Sequence, residues 1–171
     1  MPEIIQTNES GDNSVTIIQE IVRNPTLLSD VVNELADKDI FIDELDVKSF
    51  NISDKFISNG LPDTKYQEIF AEVASVSFCL LAIYEELVSI TPKIRLQILS
   101  HLNKKYLGEK RSGKSSVEIL DAVHADLMDE ILKSNNLVKT IRKEVIVQCV
   151  YIIIFDAFEN CKVLEKPKDK K

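Results

Sequence analysis

The chain is 171 residues long, 44% hydrophobic and 29% charged, with a formal net charge of −7. A domain of that length buries roughly 70% of its unfolded surface on folding, so it needs neither a disulfide framework nor a structural metal to hold together. Four glycines and five prolines are too few for a turn-rich sandwich or barrel, and the acidic balance disfavours a general binder of nucleic-acid backbone.

The breakers mark out an all-α single-domain bundle of six to seven helices. Residues 1–13 read as a flexible polar arm, 14–165 as one all-α domain, and 166–171 as a disordered basic tail. The first helix covers 14–23, with Val15, Ile18, Ile21 and Val22 inward. Asn24-Pro25 then reads as a cap followed by a first helical residue, because proline in the first turn gives up no hydrogen bond. The helix that follows, 25–37, carries Leu28, Val31, Val32 and Leu35 at helical spacing.

Over 40–57 the pattern is ambiguous between strand and broken helix, except for a short helix at 53–58 that stops at Asn59-Gly60. A long helix, 64–89, is apolar all round and is therefore expected to be central. Thr91-Pro92 opens another helix, 92–107, with Gly108 as a left-handed C-cap. Ser115 and Glu118 make a capping box that starts a helix to 134. The last helix, 137–164, is rich in β-branched residues, yet Leu137, Ile141, Val145, Cys149, Ile152 and Phe158 keep a helical stripe through it.

Three cysteines, Cys79, Cys149 and Cys161, cannot all pair within one chain, and each lies in an apolar stretch. That usage suits a reducing cytoplasm. The N-terminus carries no basic and apolar leader pattern, and the apolar stretch 73–84 is too short to cross about 30 Å of hydrocarbon. A cytoplasmic protein with no membrane partner is expected.

Several motifs invite a chemical reading. Gly108, Gly113, Lys114 and Ser115 fit the phosphate-binding pattern G-x-x-x-x-G-K-[ST]. Such a loop is launched from a buried strand, whereas this one follows a helical end, so a basic interhelical loop is the expectation. Asp121 and His124 share a helix face as in Glu-x-x-His metal sites, but no second pair exists. The acids of 37–43 lack the oxygen ligands and glycine of a calcium loop. No metal and no cofactor is expected. Arg95 and His101, with five residues between them in a helical segment, are similar to the R-x(4–6)-H signature of HEPN ribonucleases. The resemblance implies that both act on a scissile phosphate, usually across a dimer; the residue after the arginine, commonly polar in that family, is here Leu96.

Charge distribution points elsewhere. Residues 1–60 hold twelve acids against Arg23, Lys38, Lys48 and Lys55. Asp37, Asp39, Asp43, Glu44 and Asp46 crowd together around Phe41, a pattern suited to capturing a basic protein: charge speeds encounter and apolar residues supply anchors. The function expected is a non-catalytic, protein-binding one. Its narrowest form is inhibition of a basic effector such as a nuclease toxin, since bacterial immunity proteins and antitoxins are similar in size and charge. A helical adaptor or regulatory subunit is the alternative, with the HEPN-like ribonuclease; direct nucleic-acid binding is not expected.

Overall fold

The computed structural model describes residues 10–36, 51–160 and 162–167, without the side chains of 10–13 and 135. Among the described residues it is all-helical: nine helices and no strand. In chain order these are α1 (Ser10–Arg23), α2 (Thr26–Ala36), α3 (Ile52–Ser58), α4 (Lys65–Ala74), α5 (Ser77–Leu87), α6 (Ile94–Lys110), α7 (Ser116–Leu132), α8 (Asn135–Thr140) and α9 (Lys143–Glu159). The arm expected over 1–13 lies outside the described residues except for its last four, which form the start of α1. Of the tail, Lys166 and Pro167 are described.

Local signals set several helix starts, but not the one expected at Thr91-Pro92: α6 begins at Ile94, after Lys93. The Pro25 carbonyl accepts from the Ser29 amide at 3.0 Å, so α2 starts directly after that proline. Asn51 caps α3 by accepting from the Asp54 amide at 3.1 Å. Ser115 and Glu118 form both halves of a capping box, at 3.3 and 2.8 Å. The glycine expectation needs one correction. Gly108 lies inside α6, which runs on to Lys110, and the left-handed residue is Gly113, at φ 74°.

Two long helices are each broken. The helix expected over 64–89 is α4 and α5, bent by 53° at Ser75-Val76. No proline or glycine causes this. The Ser75 and Ser77 hydroxyls donate back to the carbonyls of Glu72 (2.6 Å) and Ala74 (3.1 Å), and the amides of Val76 and Cys79 bond three residues back instead of four. The helix expected over 137–164 is α8 and α9, separated by Ile141 and Arg142 in extended conformation. Thr140 bonds back to the carbonyls of Asn136 and Leu137, and the adjacent β-branched pair favours extension.

α9 is the hub. Eleven of its seventeen residues are buried, and it packs against α1, α2, α4, α5, α6 and α7. The stripe from Leu137 through Ile141, Val145, Cys149 and Ile152 to Phe158 is buried throughout. α1 turns Ile17, Ile18 and Ile21 inward; Val15 and Val22, expected inward, are exposed. α5 departs furthest from expectation, leaving Phe78 59% exposed, with Leu81 and Val88 also on the surface. A segment apolar all round has more apolar surface than its neighbours cover. Among the described residues no single helix is long and apolar enough to cross a membrane.

Candidate protein-docking surface

The C-terminal end of α9 organises one side of the molecule. Lys55 of α3 is 1% exposed, its ammonium donating to the carbonyls of Phe158 and Val163 and standing 4.4 Å from the Phe158 ring centre. A cation at a helix C-terminus satisfies carbonyls that have no intrahelical donor and complements the helix dipole. Asn59 reinforces the join by exchanging two hydrogen bonds with the Glu165 backbone, at 2.9 and 3.1 Å.

Pinning α3 there leaves a groove of about 550 Å³ between α3, α4 and α9. Beneath it lie core rings: Phe70 lies 5.3 Å from Phe155 and 5.0 Å from Phe158, ring centre to ring centre, and all three are buried. On α4 the residues facing it, Gln67, Ala71 and Ala74, recur at helical spacing, and the two alanines make the recess. Phe56 forms the opposite wall, and Ile52 and Ile57 stand exposed on the rim, the latter at 65%. An apolar recess with exposed large aliphatic side chains is what a docking surface needs.

The groups that looked catalytic are occupied elsewhere. Arg95 is held by Asp156 of α9, at 2.8 Å from Nη2 and 3.4 Å from Nε. Burial alone would lower the Arg95 pKa, but the Asp156 hydrogen bond and charge outweigh it and hold the guanidinium cationic. His101 pairs with Glu130 of α7 at 2.7 Å, and Lys105 binds the other oxygen of the same carboxylate. Six residues apart on one helix place Arg95 and His101 about 9 Å apart along the axis and about 240° around it. The structure sends them to different neighbours, Asp156 and Glu130.

The loop after α6 is not launched from a strand. A helix precedes it, Lys114 pairs with Glu109, and the Ser115 side chain caps α7. Lys110, also in that basic cluster, pairs with Glu165. Asp121 accepts from the Tyr66 hydroxyl (2.6 Å) and Lys65 (2.7 Å). His124 stacks on Tyr151 with 4.1 Å between ring centres, and burial lowers its pKa. No group of three His, Cys, Asp or Glu side chains among the described residues is arranged to hold a metal. Cys79 and Cys149 are buried and unpaired, and burial pushes the Cys149 thiol up to about 12. Cys161 lies outside the described residues, as do Asp37, Asp39, Phe41, Asp43, Glu44 and Asp46, the partner-binding residues expected from charge.

The groove residues were not singled out by sequence. Phe158 reads as part of a helical stripe, and only the fold brings it beside Phe56, Phe70 and Phe155. Residues 26–165 match the family described as C-terminal domain 10 of the ABC-three component (ABC-3C) systems. The chain belongs to this family. The match spans α2 through α9, so it contains the whole groove and both helix breaks. Comparison of this ABC-three component domain with curated proteins and with solved structures gave no match.

Proposed function

We propose that this domain is a non-catalytic protein-binding module through which one part of an ABC-three component system contacts another. The observation that carries the reading is the apolar groove between α3, α4 and α9, with Ile52 and Ile57 exposed at its rim. Membership of a multi-component system supports it, because such a system works through contacts between its components. Engagement of Arg95, His101 and Lys114 by Asp156, Glu130 and Glu109 of the same chain supports the absence of catalysis by these groups.

The test is reconstitution. The full chain, purified and mixed with the remaining components of its system, elutes with at least one of them in size-exclusion chromatography. Elution alone in every mixture overturns the reading. RNA cleavage that disappears in His101→Ala would overturn its non-catalytic part.

A narrower form of the reading makes the partner basic, with a nuclease toxin as the example, and the domain its inhibitor. This form is supported by the sequence charge at Asp37, Asp39, Asp43, Glu44 and Asp46 around Phe41. Reversing Asp39, Asp43 and Glu44 to lysine then weakens binding and flattens its salt dependence. Unchanged affinity and salt dependence would sink the basic-partner form alone.

A further inference from the structure

The groove between α3, α4 and α9 holds one charged group. Glu159, in the last turn of α9, lies in its wall and is half-buried among apolar side chains. Among the described residues no hydrogen bond or ion pair reaches its carboxylate. Arg95, the cation whose field it feels, is committed to Asp156. Burial, together with the charge of Asp156, pushes the Glu159 pKa up. A carboxylate withdrawn from water without a cation carries a desolvation cost that an incoming ammonium or guanidinium offsets.

The shape of the recess narrows the ligand further. Its volume of about 550 Å³ and its accessible lining of Ile52, Phe56, Ile57, Ala71 and Ala74 suit large apolar side chains. Helices form all three walls, and no strand edge is offered among the described residues, so an added strand has nothing to pair with. An apolar helix face laid into a helix-walled groove is the recognition mode that remains.

We propose that this groove receives an amphipathic helix from another component of the ABC-three component system. Apolar side chains of that helix pack against Ile52, Phe56, Ile57, Ala71 and Ala74, above the buried rings of Phe70, Phe155 and Phe158, and one of its lysines or arginines pairs with Glu159. The proposal rests on the reading of the domain as a protein-binding module and adds the place and the chemistry of the contact. Apolar contacts supply the affinity, and the single carboxylate sets the register of the helix along the groove.

The experiment measures affinity between the full chain and the component it elutes with, by isothermal titration calorimetry. Ala71→Trp, which fills the recess, and Glu159→Lys each weaken binding by roughly tenfold or more. Ile57→Ser, at the exposed rim, repeats the loss without touching the core, and Ile90→Ser, at an apolar position 79% exposed elsewhere, leaves affinity unchanged. Circular dichroism and melting temperature establish that each variant folds. A photo-crosslinker at position 57 locates the partner helix, and replacing its lysine or arginine by glutamate restores binding to Glu159→Lys. Parental affinity in folded Ala71→Trp and Glu159→Lys overturns the groove while leaving the protein-binding reading standing; no complex with any component overturns that reading itself. Crosslinks to a second copy, or to residues 37–50 of the same chain, overturn the assigned occupant.

Discussion

Lys55 shows how one side chain can fix a surface. Its ammonium sits at the C-terminal end of α9 and donates to the buried carbonyls of Phe158 and Val163. Lys55→Met keeps the apolar stem and removes the donors, so it should cost about 1–3 kcal/mol. Urea denaturation at neutral pH measures the loss, and a change below a few tenths of a kcal/mol would contradict this role. His124 makes the complementary case for a group that folding keeps neutral. Burial lowers its pKa below the ordinary 6.5, against the opposing hydrogen bond to the Val147 carbonyl and the Asp121 charge. The unfolded chain therefore binds this proton more readily than the folded one. The contribution of His124 is complete above pH 6.5 and is lost as pH falls through the depressed folded value. His124→Phe keeps the stack on Tyr151 and removes the titration, so melting temperature should depend less on pH just below 6.5 than in the parent. The carboxylates of Glu118, Glu130 and Glu165, all held below their ordinary pKa by hydrogen bonds, account for acid loss at lower pH in both proteins.

At the scale of the element, legibility follows the range of the interactions involved. The start of α7 was readable because a capping box needs only Ser115, Glu118 and the backbone between them. Ser115→Ala should cost about 1 kcal/mol. The same variant should leave labelled ATP with Mg²⁺ unbound, as in the parent; saturable binding lost in Lys114→Ala would refute the structural role of the loop. The turn at Asn59-Gly60 was readable for the same local reason, with Gly60 at φ 68°. The breaks at Ser75-Val76 and Ile141-Arg142 were not, because neither carries a proline or glycine. Serine and threonine back-bonding permits a bend, but packing of the flanking helices on α9 and α7 selects it. The groove was unreadable for a stronger reason. Its phenylalanines are core residues, and what makes the recess above them a site is that no element among the described residues covers it. Likewise Phe78 and Leu81 carry no local mark that separates them from the buried Leu80 and Ile83.

For the whole molecule, α9 decides how stability is shared. It packs against six other helices and holds the Lys55 side chain of α3 at its end, so nearly every layer of the core includes one of its side chains. Ile153 is fully buried in this helix, whereas Ile90 is 79% exposed after α5. Ile153→Ala removes buried methyl groups and leaves a cavity among neighbours that several helices hold in place, and should cost about 2–5 kcal/mol. Ile90→Ala loses little apolar burial and should stay within about 0.5 kcal/mol of the parent. Because the helices share one wall, the loss at Ile153 should move a single transition instead of detaching one part of the bundle. Urea unfolding followed both by far-ultraviolet circular dichroism and by tyrosine fluorescence separates these outcomes. Coincident curves shifted together to lower urea are expected; two separated transitions in Ile153→Ala would mean that the layers around α9 fold independently.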